Sequence, residues 1–430
     1  MGKARAHEVR FFAVGLFGLL SIFVALGCDD GKGRSDPCEG ITCSGHGGCV
    51  VVEGNPTCEC DQGYVPEGLH CVSEGGEVST TNQVVQHGVM WTFAQQVPFG
   101  RYANGDYWVV GPVTVVSVTP AFDGAHHGWE ANPSDPVAQG FDERIADFDA
   151  SRVPALPYTA EPGESLVKGV SIRPLGGECR PCLETAVVLT VVAEVPVDGG
   201  RGMFRPPYFG AEKKGYFVDA ARTELLPGLS PGGEGGEAEE GPSLSEVREW
   251  FQRVQLDHKT NWVGRHLHPE RNMPDYGSSI ASRNGVGALR LMVERSGDTE
   301  TERMEALITY VQMGIDLYHM MVNGVTWPPN GGHSEGRKLP VAFASLLLDD
   351  PDMQQAVSAS GSDQFGENGG MYVSENGGAV LYGQHENTEE GYWTNLVFDT
   401  GSRTIKDPYG WIDGGHRPGG SYQFCCIAIP

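Results

Sequence analysis

Residue types able to do chemistry gather in three short stretches. The first runs Arg265-His266-Leu267-His268-Pro269-Glu270-Arg271 and on to Tyr276; the second is Trp327 to Lys338; the third is Gln384-His385-Glu386-Asn387, followed by Tyr392 and Trp393. Removing the proton beside a sugar carboxylate needs a base, commonly Tyr or His, and a cation to neutralise that carboxylate. Arg suits the second task because its planar fork matches a carboxylate. His333 as base, Arg337 as carboxylate clamp and Tyr276 as proton donor make such a catalytic set, with Lys338, Trp327, His385 and Trp393 as substrate-binding residues. Hydrolysis would instead use two carboxylates across the bond, for which Glu335 and Glu386 are available. A metal reading joins His266 and His268 to His333 or His385. The H-E-x-x-H spacing is missing, however, and neither a metal nor another cofactor is expected. Each histidine alone also reads as an ordinary surface or satisfied polar residue; the clustering sets the group apart.

These loops need a scaffold, and the sequence beyond Pro242 predicts helices. Ser243 with Glu246 makes a capping box ahead of Leu244, Val247, Trp250, Phe251 and Val254 at helical spacing. A second helix is predicted from Ser279 to about Glu294, weakened by Gly285 and Gly287 unless another element packs closely there. A third starts at a Thr299–Glu302 capping box and lines up Met304, Leu307, Ile308, Val311, Ile315, Tyr318 and Met321. A fourth, with Pro340 at its first position, is apolar from Leu339 to Leu348 and is expected to be buried on all sides. Arg337 and Lys338 oppose the dipole at its N-terminus, so either an anion binds at that mouth or the two cations pair with Glu335 or Asp349. After Pro351 the pattern turns β-like, with hairpin strands at 370–374, 379–383, 391–398 and 403–412 and a tail ending on Cys425-Cys426.

Composition bounds the partners. The 430 residues carry a net charge of −26 with pI near 4.8, which argues against nucleic acid and against a basic membrane-surface patch. Between Gly241 and Leu347 there are 11 Lys/Arg and 12 Asp/Glu, so this part is near neutral and an acidic ligand is not excluded. At the start, Lys3, Arg5 and Arg10 precede the apolar run Phe11 to Leu26, the layout of a signal peptide over residues 1–27. Ala25-Leu26-Gly27-Cys28 resembles the bacterial lipoprotein lipobox, with Ala25 where Leu is usual. The resemblance implies a lipid on Cys28, a tether over 28–35 and an exported, membrane-anchored chain at the cell surface or in the periplasm. An ordinary signal peptide or an uncleaved anchor is the alternative.

Six of the 11 cysteines, Cys38, Cys43, Cys49, Cys58, Cys60 and Cys71, fall in a segment too short to bury a core, and in an exported chain they read as a disulfide framework. The Cys58-x-Cys60 pair, the Ser44-Gly45-His46-Gly47 run and Gly63-Tyr64 resemble an EGF-like module over 36–72. The resemblance implies pairings Cys38–Cys49, Cys43–Cys58 and Cys60–Cys71; the acidic set of its calcium-binding members is missing before Cys38. Short β-branched runs broken by turn residues predict a β-sandwich over 78–228. Its Trp91, Phe93, Tyr107, Trp108 and Trp129 read as sandwich core or as a sugar platform, and Cys179 with Cys182 as a local disulfide. The acidic Gly-rich stretch 229–242 is a linker, and 243–430 a mainly helical domain, a bundle or partial α/α toroid with C-terminal hairpins. Sandwich plus helical layer in an exported chain is similar to the architecture of α/α-toroid polysaccharide lyases, although there the toroid usually comes first. The resemblance implies a protein that binds or degrades an extracellular polysaccharide by lyase-type β-elimination; the alternative is a non-catalytic adhesion or carbohydrate-binding lipoprotein.

Overall fold

A computed structural model describes residues 38, 47–52, 55–61, 64–67, 70–73, 80–230, 241–259, 263–328, 333–369, 371–373, 380–382, 398–399 and 404–405. The signal segment, Cys28, the tether, Cys43, His385, Glu386, Trp393, Cys425 and Cys426 lie outside the described residues. No helix among the described residues is long and apolar enough to cross a membrane.

The N-terminal segment forms two antiparallel pairs, β1 (Gly47–Val52) with β2 (Asn55–Cys60) and β3 (Tyr64–Glu67) with β4 (His70–Ser73). Cys38 and Cys49 are joined, and Cys58 and Cys60 are also disulfide-bonded. Buried Cys58 has Cys49, Cys60 and Tyr64 packed on it, sulfur standing in for an apolar core.

Eight strands make the main sheet: β5 (Thr80–Gln86), β6 (Val89–Arg101), β7 (Tyr107–Val110), β8 (Val113–Thr119), β9 (Trp129–Ala131), β10 (Tyr158–Ala160), β11 (Ser165–Ser171) and β12 (Leu183–Val192). Their order is β10-β8-β6-β7-β12-β11-β9, with β5 also on β6. The β5–β6 hairpin turns at His87-Gly88, both with positive φ (47° and 82°), as a two-residue turn matching strand twist requires. Long β6 pairs with β8 through Met90 to Phe93, with β5 from Val89 as far as Pro98 across a bulge, and with β7 through Phe99 to Arg101, so it belongs to both halves of the sheet. Val84, Trp91, Phe93, Val115, Trp129, Leu166, Val187 and Leu189 share one core between those halves. Trp91, Phe93, Trp108 and Trp129 are buried, Trp91 edge-on to Trp129 at 5.7 Å, which fixes them as core; Tyr107 alone of the five is half-buried.

Strand β12 is buried on both faces and therefore reads as a continuous apolar run rather than an alternating one. Its Ala186 and Val188, with Val167 of β11, join a second core with Phe204, Tyr208, Phe209 and the helical region. The helices are α1 (Leu244–Phe251), α2 (Gly264–Leu267), α3 (Gly277–Met292), α4 (Glu300–Val322), α5 (Lys338–Leu347), α6 (Pro351–Ala359) and α7 (Gly366–Gly369). The molecule is thus a mixed sheet-rich and helical protein. Both capping boxes form. Gly287 has a packing reason, since a Cβ there would lie 2.8 Å from the Phe251 ring, whereas Gly285 faces open space.

Helix α4 is buried around its whole circumference from Ala306 to Met320, beyond the single apolar stripe read from the sequence. Its polar face, Thr309, Gln312, Asp316 and His319, turns toward the segment 203–217. Gln312 bonds both the N–H and the carbonyl of Arg205, whose guanidinium bridges Asp106 and Asp316, and His319 meets the Tyr216 hydroxyl at 3.1 Å. This clamp ties the strand region to the helices through a buried, paired guanidinium.

Several expectations need correcting. Helix α5 starts at Lys338, which puts Pro340 third, and its Leu346 is 56% exposed, so one edge is not buried. Pro351 opens α6 rather than a strand: Asp350 caps it by accepting from the N–H groups of Asp352 and Met353, and Pro follows the cap. Short α2 was not anticipated. At the C-terminus the expected hairpins stand where described: β13 (Met371–Val373) pairs with β14 (Val380–Tyr382) and β15 (Phe398–Asp399) with β16 (Thr404–Ile405), the rest of those stretches lying outside the described residues.

Candidate functional site

The site is built on a buried carboxylate. Asp257 lies in the run Val254 to Lys259, buried throughout, and accepts from Arg337 Nε (2.7 Å), Arg337 Nη2 (3.0 Å) and His268 Nε2 (3.0 Å). Burial by itself would push this carboxyl up, but Arg337 and His268 outweigh it and hold it down at about 2. His268 Nδ1 faces the Pro274 carbonyl, and Trp327 Nε1 donates to the Asp257 carbonyl. Arg337 Nη1 donates to the carbonyls of His333 and Glu335. The fork assigned to a substrate carboxylate is therefore filled by the chain itself, by neither Glu335 nor Asp349, because a guanidinium this deep requires a partner.

The mouth of α5 is also filled from within. Glu367 of α7 accepts from the backbone N–H groups of Gly336 (2.7 Å) and Lys338 (3.0 Å), and Lys338 Nζ bonds Asn368. The anion inferred from the sequence at this helix N-terminus is Glu367. Trp327 is 1% exposed and stacks on Phe365, so it supports the loop from inside and offers no face to a sugar. Glu335 is buried against Gly366. Among the described residues no metal-ligating trio forms around these histidines: His266 Nδ1 donates to the Cys179 carbonyl at 2.7 Å, while His268 turns inward to Asp257; His385 lies outside the described residues.

Tyr276 and His333 do meet. Their rings lie edge to face with centroids 4.8 Å apart, and both are half-buried. The Arg265 guanidinium sits 5.0 Å over the Tyr276 ring. Arg265 donates to the carbonyl and the carboxylate of Asp275, and exposed Arg180 reaches the same carboxylate at 3.0 Å. Tyr276 also begins α3 without a side-chain cap on its first turn. Two guanidinium groups thus share one carboxylate beside an aromatic pair. Sequence reasoning brought Tyr276, His333 and Arg337 to one neighbourhood but missed Asp257, Glu367, Asp275 and Arg180. Asp257 sits in Val254-Gln255-Leu256-Asp257-His258-Lys259, four of whose six residues are polar, so its burial left no mark in the sequence.

Comparison of the chain with protein families, with characterised proteins and with solved structures gave no match, so the reading of this site rests on its own geometry.

Proposed function

We propose that this is an exported, lipid-anchored protein in which an EGF-like spacer carries a body that binds an acidic extracellular polysaccharide without cleaving it. The sheet and helical regions are then the β-sandwich and helical layer of the expected architecture. The observation that carries the reading is the cluster of Arg180 and Arg265 on the single carboxylate of Asp275, flanked by Tyr276 and His333. Excess guanidinium recognises a uronate carboxylate, and Tyr276 supplies a ring for the sugar. With Arg337 committed to Asp257, the original catalytic set lacks its clamp. The test is calorimetric titration of the full chain with oligouronates and with neutral oligosaccharides. Oligouronates alone should bind, more weakly as salt rises, with affinity falling about tenfold in Arg265→Gln, the loss of one charged hydrogen-bonding group. Absence of binding to every acidic oligosaccharide would refute the reading.

One observation favours β-elimination instead: Tyr276 and His333, the acid–base pair that reaction needs, are in contact. In that case Arg265 takes the neutralising role, oligouronates acquire ultraviolet absorbance from new C=C bonds, and Tyr276→Phe abolishes it.

A further inference from the structure

The Cys179–Cys182 disulfide has two unlike ends. Cys182 immediately precedes β12, is fully buried, and is held from both sides: its N–H donates to the His266 carbonyl at 2.8 Å and its own carbonyl accepts from Ile172 N–H at 2.8 Å. Cys179 is half-buried and ends a segment, 173–178, that is mostly exposed and contains Gly176 and Gly177. Between them in sequence stands Arg180, exposed, its guanidinium on the Asp275 carboxylate. The ring of His266 closes the arrangement. Its Nδ1–H donates to the Cys179 carbonyl and lies 3.9 Å from Cys182 Sγ. A disulfide joining a half-buried cysteine to a fully buried one, with a ring N–H 3.9 Å from the buried sulfur, has the parts that thiol–disulfide exchange uses: a more open point of attack and a leaving group with a donor close by.

We propose that Cys179–Cys182 is an exchange-active disulfide whose partner is a dithiol, attacked at Cys179 and leaving at Cys182. A thiolate of the dithiol attacks Cys179 Sγ, its proton having gone to solvent. A new S–S bond forms, the Cys179–Cys182 bond breaks, and its electron pair goes to Cys182, whose thiolate draws His266 Nδ1–H away from the Cys179 carbonyl as the ring opens. The dithiol's second thiolate then attacks its own sulfur in the mixed disulfide. That closes the partner's disulfide and releases Cys179 as a thiolate, which takes a proton from solvent. Two electrons pass from the dithiol to the cysteine pair. Because Arg180 lies inside the four-residue ring and holds Asp275, opening the ring loosens the carboxylate that Arg265 also uses. The exchange is independent of what binds at Tyr276.

The probe is dithiothreitol with the oxidised full chain, sampled over time by alkylation and peptide mapping. Cys179–Cys182 should open at least about tenfold faster than Cys38–Cys49, the difference in access and leaving group setting the rate. In Cys182→Ser, glutathione disulfide should label Cys179; in Cys179→Ser, folded Cys182 should resist labelling. His266→Asn should slow opening in the wild-type cysteine background while leaving the circular dichroism unchanged. Opening no faster than at Cys38–Cys49, or a mixed disulfide formed on Cys182, would overturn the proposal. Should His266→Asn disturb the fold, the wild-type rate comparison decides by itself.

Discussion

Removing the carboxylate of Asp257 strips a buried guanidinium of its counter-charge. In Asp257→Ala, Arg337 loses two side-chain hydrogen bonds and His268 one, while neither ring nor guanidinium gains access to water at its present place. Breaking a buried pair from one side costs about 3–5 kcal/mol, a large part of the roughly 5–15 kcal/mol that holds a domain folded. Urea unfolding of the full chain followed by tryptophan fluorescence measures it, and Trp327, bonded to the Asp257 carbonyl, is a local reporter. The same carboxylate gives an acid signature. Its folded value of about 2 lies below the ordinary 3.8, so its contribution is complete above about pH 4 and is lost as pH falls through 3.8 toward 2. At 1.36 kcal/mol per unit the loss is about 2 kcal/mol, and the Asp257→Ala variant should lack that part of the acid transition. A loss below about 1 kcal/mol in Asp257→Ala would refute the reasoning, because it would mean that water reaches Arg337 and that the pair is surface-like.

Three further outcomes follow from the packing. Glu367→Gln keeps the shape but removes the charge at the α5 N-terminus, and should lower the unfolding free energy by about 1 kcal/mol in the same urea assay. Gly314→Ala places a Cβ 2.4 Å from the Pro340 carbonyl oxygen and 2.6 Å from the Ala344 Cβ, forcing α4 and α5 apart; a loss of about 1–3 kcal/mol is expected, and an unchanged urea midpoint would contradict the close approach. Burial brings the Lys168 ammonium down to about 7, with Asp123 opposing only weakly, and Lys213 behaves alike. The unfolded chain therefore holds more protons than the folded one between about 7 and 10.5, and stability should rise with pH across that window. Lys168→Met should remove its share of that slope when urea midpoints are compared at the two ends.

Local signals were legible where one residue acts on its near neighbours. Ser243–Glu246 and Thr299–Glu302 close their boxes as written, because a capping box is a contact within one turn. The apolar spacing of 244–251 and the β-branched runs of the middle region produced α1 and strands β6, β8 and β12 for the same reason. Asp350-Pro351 is as local a helix start as either box, an Asp cap followed by Pro in the first turn, but α6 is short and carries only one buried side chain, Met353, to mark a helical face.

Pairings across the chain were not legible. The opposed dipole at Lys338 said that an anion was needed at α5, but only the return of α7 made it Glu367. Arg337 looked equally able to hold a ligand or a neighbour, and Asp257, 80 residues away, decided it by reaching the guanidinium in a place closed to water. The sequence by itself determined the local elements and the cysteine-rich N-terminal segment; the meeting of Tyr276 with His333 came from the fold. Tertiary structure decided which charges are spent inside the protein and which, as at Arg180, lie at the surface, since burial and distance between remote residues are properties of the folded chain alone.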